Sequence, residues 1–193
     1  EALLPTAGAD PGSRAPAPGS LRLVQALVNT LNAETGQDLL GTVPEAAAWL
    51  GAARLLPSGS VLTAPQQAAL LELREATRQV LSGHIERRED PEAAGRLTMA
   101  LAPSRLTLAV NPAGGVRLVS ADHDPFSRVI GAVAAAIAEA ATTGTWSRLK
   151  CCPGRRCGWA FYDRSASGRS RWCSMQICGA RAKMRAYRDR LAD

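Results

Sequence analysis

The fold of the C-terminal quarter is decided by two stretches, Cys151-Cys152-Pro153-Gly154-Arg155-Arg156-Cys157 and Cys173-Ser174-Met175-Gln176-Ile177-Cys178. In each stretch four residues separate a pair of cysteines, and fifteen residues lie between the two pairs. Such thiolate pairs bind tetrahedral Zn²⁺, and a hairpin between them can bring four sulfurs to one metal. The spacing therefore predicts one structural zinc ion whose ligands are Cys152, Cys157, Cys173 and Cys178.

A fifth cysteine, Cys151, leaves the identity of the first ligand open. Taking Cys151 in place of Cys152 would lengthen the first spacing from four residues to five, so Cys152 is the preferred ligand. All five cysteines lie between positions 151 and 178. Because a disulfide framework would be spread along the chain, this clustering favours metal binding in a reducing cytoplasm over two disulfide bonds.

The predicted four-thiolate site also bears on the class of protein. Four protein ligands complete a tetrahedral zinc site and leave no position for a substrate water, which predicts a structural metal. The sequence shows no Ser-His-Asp order and no phosphate-binding glycine loop. No apolar run reaches the roughly 18–20 residues that a membrane span needs. We therefore expect neither an enzyme nor a membrane partner.

Positive charge is concentrated at the same end of the chain. Residues 148–193 hold twelve Lys and Arg against three Asp, a net charge of +9. Because the whole chain carries +6, residues 1–147 must carry −3. A basic segment in an otherwise acidic protein predicts an anionic partner at that end. DNA is the favoured partner, and the alternatives are RNA, an acidic protein or a basic surface that is simply solvated.

Seven basic side chains of this segment are the candidate nucleic-acid contacts. Arg181, Arg185 and Arg188 recur at three- and four-residue spacing, which places them on one face of a predicted C-terminal helix. Met184 and Tyr187 are expected to pack beneath that helix. Basic side chains of the preceding hairpin would extend the surface, and its binding would depend strongly on salt. The complete predicted set is Arg164, Arg169, Arg171, Arg181, Lys183, Arg185 and Arg188.

The whole chain is expected to have an α+β fold. Residues 1–20 are rich in Pro, Gly, Ala and Ser and have no periodic pattern, which predicts a flexible leader. Residues 21–146 are predicted to form a mainly helical domain with a small β-hairpin, which senses a signal or forms a homodimer. Residues 147–193 are predicted to form a four-cysteine ββα module of the zinc-ribbon type, joined to the helical domain through Arg148-Leu149-Lys150.

Local patterns predict the individual elements. Thr42, Thr63 and Asp124 are candidate helix N-caps, and prolines in the first turn after Thr42 and Asp124 support the assignment. Residues 105–110 and 116–119 alternate apolar and polar side chains around a turn, which predicts the hairpin. The helix after Thr63 is expected to point Arg74, Glu75 and Arg78 outward and to bury Ala69, Leu70, Leu73, Ala76, Thr77, Val80 and Leu81.

Within the cysteine module, residues 159–162 are predicted to form a strand and residues 171–173 the strand that returns beside it. Trp159, Phe161 and Trp172 could stack on bases, but packing in a small core is favoured.

A small-molecule effector site in the helical domain is a further hypothesis. Asn29, Asp38, Arg74 and Glu75 could line a pocket in the helical domain, although ion pairing and capping explain them as well.

The module also carries a family resemblance. The segments Leu149-Lys150-Cys151-Cys152, Cys157-Gly158-Trp159, Phe161-Tyr162-Asp163-Arg164-Ser165, Arg171-Trp172-Cys173-Ser174-Met175 and Cys178-Gly179-Ala180-Arg181-Ala182-Lys183 resemble the CGNR zinc-finger family. Less specific segments upstream resemble the ABATE-type domain that accompanies this finger: Leu27-Val28-Asn29-Thr30, Asp38-Leu39-Leu40, Trp49-Leu50 and Leu73-Arg74-Glu75.

The resemblance implies a bacterial, stress-induced transcription regulator with one structural zinc ion. By position it makes the four predicted ligand cysteines the metal ligands and Arg181 the arginine of the family motif. The motif asparagine is replaced here by Ala180. Alanine has no amide group, so it cannot make the hydrogen bonds to a base edge or to the backbone that an asparagine makes.

Overall fold

The structure is a computed structural model that describes residues 4–57, 59–86 and 88–192. Its elements, in chain order, are α1 (Leu21–Val28), α2 (Val43–Ala52), α3 (Ala64–Glu86), α4 (Pro91–Leu101), β1 (Leu106–Val110), β2 (Val116–Ser120), α5 (Pro125–Thr142), a 3-10 helix (Trp146–Arg148), β3 (Leu149–Cys151), β4 (Ala160–Tyr162), a π-turn (Met175–Gly179) and α6 (Ala180–Ala192). This is the predicted α+β architecture of helices with two small antiparallel sheets. Among the described residues, no helix is long and apolar enough to cross a membrane.

The helices begin where their caps predict. The Thr42 hydroxyl accepts a hydrogen bond from the Glu45 amide, and the Asp124 carboxylate accepts one from the Ser127 amide. Each cap satisfies one of the first-turn N–H groups that have no partner inside the helix. The β1–β2 hairpin pairs Leu106 with Ser120 and Val110 with Val116, and its inner strand packs on α5.

The core of the helical domain forms around α3. Leu70, Leu73 and Leu81 are fully buried and pack with side chains of α1, α2 and α5. Three details of the predicted α3 pattern are wrong. Arg78, expected to point outward, has a side chain that is only 14% exposed and donates to the Val28 carbonyl. Ala69 is exposed, and Arg74 lies buried, where its guanidinium contacts the Asp38 carboxylate at 2.6 Å. Ion pairing compensates the desolvation that would otherwise keep an arginine outside.

The module's small sheet pairs different segments from those predicted. Residues 160–162 form β4 as expected, but its partner is β3, with Lys150 opposite Phe161. Residues 171–173 do not form the predicted returning strand. The carbonyls there are taken by a side chain, because Arg14 donates to the Trp172 and Cys173 oxygens at 3.1 and 2.7 Å.

The segment before α1 also differs from the predicted flexible leader. Residues 4–20 contain no helix or strand, yet Ala7 and Ala17 are buried. The Trp49 indole donates to the Pro5 carbonyl at 2.9 Å, and the Trp159 indole donates to the Asp10 carboxylate at 3.0 Å. These contacts join the segment to both the helical domain and the cysteine module. Their partners are distant in sequence, so composition alone could not indicate them.

The cysteine module is docked on the helical domain without an intervening exposed linker. Leu149 and Tyr162 belong to the same hydrophobic core as α1 and α3. Asn29, the C-cap residue of α1, makes two hydrogen bonds to Ala160, one to its carbonyl at 2.9 Å and one from its amide at 2.7 Å. Arg78 of α3 donates to the Gly158 carbonyl at 2.6 Å. The two regions therefore share one packed interface.

Candidate metal centre and basic surface

Four cysteine sulfurs converge at one point of the module. The Sγ atoms of Cys152, Cys157, Cys173 and Cys178 all lie within 4.8 Å of one another. Two of the separations, Cys157 to Cys173 and Cys173 to Cys178, are 3.7 Å. A tetrahedral site with Zn–S bonds of about 2.3 Å requires sulfurs about 3.8 Å apart, so this arrangement fits zinc. The four thiolates would hold one structural ion and leave no open coordination position.

Local backbone geometry creates this convergence. Cys152 directly follows β3, and a turn closed by a hydrogen bond from the Cys157 amide to the Gly154 carbonyl brings the second sulfur back beside it. Gly154 suits this turn, because a Cβ there would be crowded at 3.0 Å from the Cys178 sulfur. Arg156 and Gly158 have φ values of +58° and +60°, which tighten the knuckle on either side of Cys157.

The second sulfur pair depends on the π-turn. Ser174, which follows Cys173, lies in extended backbone, and its hydroxyl caps the turn by accepting from the Ile177 amide. The Gly179 amide donates to the Ser174 carbonyl, five residues back, at 3.0 Å. The wider turn buries the Cys178 side chain in the cluster before α6 begins. Turns of this π-helical type are rare in proteins and occur frequently at functional sites.

Cys151 is excluded from the cluster. Its side chain is buried in the core of the helical domain, whereas Cys152 packs with the other module cysteines. This follows from strand geometry, since adjacent residues of a strand point to opposite faces. Burial raises the pKa of the Cys151 thiol to about 12, so it remains protonated. Hydrogen bonds from the Cys157 and Cys173 thiols instead lower the pKa of Cys152, which favours a thiolate inside the cluster.

A buried ion pair closes the loop between the two cysteine pairs. The Lys150 ammonium donates to the Asp163 carboxylate at 2.8 Å and to the carbonyls of Gly168 and Ser170. Asp163 also accepts from the Ser165 hydroxyl and the Ser170 amide. Burial alone would raise the pKa of Asp163, but the hydrogen bonds from Lys150, Ser165 and Ser170 outweigh it and hold the pKa well below its usual value. The sequence analysis assigned neither Lys150 nor Asp163 this role.

The aromatic side chains of the module are core residues. Trp159 is 3% exposed and Phe161 is fully buried, while Trp172 is partly buried against the cysteine cluster. Arg14 lies 5.0 Å over the Phe161 ring. Stacking on bases would require open ring faces, so the packing interpretation holds for Trp159 and Phe161.

The seven predicted nucleic-acid contacts lie in two groups. Four of them, Arg181, Lys183, Arg185 and Arg188, are on α6, where only Arg185 is partly buried. The other three, Arg164, Arg169 and Arg171, are exposed on the loop after β4.

Three of these seven already have partners, and one of them, Arg188, donates to the Met184 carbonyl one turn back on α6 at 3.4 Å. The Arg164 guanidinium donates to the Pro16 carbonyl and lies over the Tyr162 ring. Arg181 forms an exposed ion pair with Glu34 at 2.9 Å.

The expected packing beneath α6 is not found. Met184 and Tyr187 are 55% and 52% exposed. Among the described residues, the π-turn is the only element with which α6 has an extended contact. The helix therefore projects from the module, which leaves its apolar and basic faces both open.

The residues considered for an effector pocket make internal contacts instead. Asn29 holds β4, and Arg74 bonds Asp38 and Glu75. His84, which no sequence pattern links to a contact, lies at the interface of the two regions. Its Nδ1 donates to the Leu149 carbonyl at 2.8 Å, and its ring meets Trp146 edge-on. Burial lowers the pKa of His84, as does the nearby Lys150 charge, and the Leu149 hydrogen bond opposes them.

Comparison with known families agrees with this division of the molecule. A family model named ABATE, described as "Putative stress-induced transcription regulator", matches residues 21–144, more than half of the chain. The chain belongs to this family. The ABATE region holds α1 to α5 and the first hairpin. A second family model, the CGNR zinc finger, matches residues 148–191. Both matches confirm the resemblance seen in the sequence, and no curated protein matches the chain.

The CGNR finger holds the cysteine cluster, both strands of the second sheet and α6 up to residue 191. Ala180, at the position of the motif asparagine, is exposed as the first residue of α6. Arg181 follows it on the surface. The departure from the family motif therefore lies on the exposed face of the finger and not in its metal-binding interior.

Proposed function

We infer that this ABATE protein is a transcription regulator that binds duplex DNA through the basic surface of its zinc module. The observation that carries the inference is the segregation of exposed positive charge. Lys150 and Asp163 neutralise each other in the interior. The module's sequence then has two further acidic residues, Asp189 and Asp193, against eleven further Arg and Lys. A surface of this charge attracts a polyanion and releases its condensed counterions on binding.

The α6 arginines are the main proposed phosphate contacts. Arg181, Arg185 and Arg188 lie on one side of a helix that projects from the protein, so a DNA backbone could approach them without displacing another element. The exposed pair between Arg181 and Glu34 costs little to break, since such pairs contribute about 0–1 kcal/mol. Arg169 and Arg171 would extend the contact from the neighbouring loop.

In this proposal the zinc ion has a structural role, which supports a function other than catalysis. The ion fixes the knuckle and the π-turn, and these set the position of α6 relative to the loop. The thiolates that hold it persist best in a reducing cytoplasm, where we place the protein. The ABATE region would then provide signal sensing or homodimerisation, and docking through Asn29 and Arg78 would transmit its state to the finger.

The test is the salt dependence of duplex binding by the full, zinc-loaded chain. Replacing Arg181, Arg185 and Arg188 together by Ala should weaken binding at all sequences. It should also reduce the slope of log K against log salt by about 2.7, since each phosphate contact contributes roughly 0.9. A matched control replaces Arg88, Arg105 and Arg117, three exposed arginines of the ABATE region, by Ala and should leave the slope unchanged.

Two results would reject the proposal. One is the absence of duplex binding by the wild type at low salt. The other is an equal loss of slope in the α6 variant and in the control variant. Tighter binding to single-stranded or structured RNA than to duplex DNA would reassign the same surface to RNA.

A further inference from the structure

The outer face of α6 carries an apolar stripe that DNA binding does not explain. Met184, Tyr187 and Leu191 are 55%, 52% and 70% exposed. With Ala180 they recur at intervals of four, three and four residues, which is the a/d spacing of a helix that packs along another helix. A run of large apolar side chains at this spacing is typical of a docking face and not of a solvated one.

The flanks of the stripe are basic on both sides. In heptad notation Ala180 and Tyr187 occupy d, while Met184 and Leu191 occupy a. Positions e and g, which select the partner of such a helix, are then Arg181, Lys183, Arg188 and Arg190. The one acidic residue in this part of α6, Asp189, is at the outermost f position. The flanks therefore present an uninterrupted positive border.

This border disfavours a second copy of the chain as the occupant. Parallel pairing of two α6 helices would place Lys183 of one against Arg188 of the other. Antiparallel pairing would place Arg181 against Arg188 and Lys183 against Arg190. Either arrangement brings positive charges together across the apolar contact, and this repulsion disfavours pairing of two α6 helices. Charge complementarity instead selects an acidic helix.

The stripe also continues into a groove at the start of α6. The groove has a volume of about 480 Å³ and is lined by Ile177 and Met184, with Arg181 and Arg188 beside them. The π-turn that carries Cys178 forms its end wall. Apolar anchors of a bound helix could extend into it while acidic side chains meet the arginines. The zinc site holds this wall in place.

From these observations we propose that α6 is a docking surface for a partner protein, whose bound segment is an amphipathic helix with acidic residues along both edges of its apolar face. The partner lies over Met184, Tyr187 and Leu191. The arginines proposed to contact DNA centre about a quarter-turn away on the helix. Arg181 and Arg188 border both surfaces, whereas the apolar side chains of the stripe belong to the docking surface alone. The docking does not depend on DNA binding.

The experiment uses the zinc-loaded full chain and two synthetic helices of about 21 residues, or three heptads. Both have Leu at a and d; one has Glu at every e and g, and the other has Lys there. The acidic peptide should bind, and the basic peptide should not. Met184→Asp with Leu191→Asp should weaken binding of the acidic peptide at least about tenfold. Leu108→Asp, at an exposed apolar site on the first hairpin, is the matched control and should leave it unchanged.

Charge exchange gives the decisive result. Lys183→Glu with Arg190→Glu should lower affinity for the acidic peptide and raise it for the basic peptide. These four substitutions are at exposed sites, so equal thermal unfolding and zinc content will show that the fold is intact.

The proposal is overturned if the acidic peptide does not bind, if the stripe variant binds like the control, or if charge exchange leaves the preference unaltered. A wild-type dimer that the stripe variant abolishes would also overturn it, because the occupant would then be a second copy. Duplex binding by the stripe variant, measured in parallel, separates this outcome from failure of the DNA proposal.

Discussion

Lys150 and Asp163 form a charge pair with 4% and 0% side-chain exposure. Burial of either charge alone would be costly, and the pair is tolerated because every polar atom of the two groups finds a partner among Gly168, Ser165 and Ser170. The pair connects β3 to the loop that precedes Cys173. Its role is therefore to hold the two halves of the metal site together.

Replacement of Lys150 by Met should destabilise the protein by about 3–5 kcal/mol, because the Asp163 carboxylate would remain buried without its cation. The measurement is denaturant-induced unfolding with zinc present. Arg169→Met, at an exposed site of the same loop, provides the control and should change stability by less than about 0.5 kcal/mol. Equal effects of the two substitutions would contradict this account of the pair.

His84 makes the contact between the two regions sensitive to pH. Its pKa is lowered in the folded protein, so the unfolded chain binds the proton more readily. The contribution of neutral His84 to the free energy of unfolding is then fully present above the unfolded pKa of about 6.5, and it is lost as pH falls below that value. The measurement is the free energy of unfolding at pH 7.5 and at pH 5.5. It should fall less for His84→Asn than for the wild type, because asparagine keeps a donor near Leu149 but cannot take up a proton. A variant whose stability falls as steeply as the wild type would contradict the assignment.

At the scale of elements, the attachment of β4 to α1 depends on the two hydrogen bonds between Asn29 and Ala160. Asn29→Ala would leave the buried Ala160 amide without a partner, and we expect a loss of about 1–3 kcal/mol. Gln37→Ala removes an exposed amide and serves as the control. Denaturant unfolding of both variants checks the prediction. A variant at Asn29 that is as stable as the control would show that docking does not require this contact.

The elements that sequence predicts well are those specified by neighbouring residues. Thr42 and Asp124 cap helices because their acceptor oxygens lie three residues from the amides they bind. The short spacing within each cysteine pair likewise predicts a turn between the two cysteines. The failures involve distant partners. Arg74 faces inward because Asp38 is there to receive it, and the predicted strand at 171–173 is lost to Arg14 from the other end of the chain. Nothing local in the sequence marks either pairing.

For the whole molecule, zinc should stabilise more than the finger. Leu149 and Tyr162 lie in the core of the ABATE region, so loss of the metal would expose apolar surface on both sides of the interface. The protein should unfold in a single transition, and chelation should lower its midpoint temperature by roughly 10 °C or more. Each kcal/mol of lost stability lowers the Tm of a chain of this size by about 2–4 °C. Calorimetry with and without chelator tests this. Two transitions, with that of the ABATE region unchanged, would show that the regions unfold independently.

The account as a whole depends on one closed zinc site built from four sulfurs. X-ray absorption at the zinc edge, on the wild type and on Cys151→Ala, measures that site directly. We predict one zinc ion per chain with four sulfur ligands at about 2.3 Å and the same spectrum for both proteins. A nitrogen or oxygen ligand in the wild type, or a changed first shell on loss of Cys151, would contradict it.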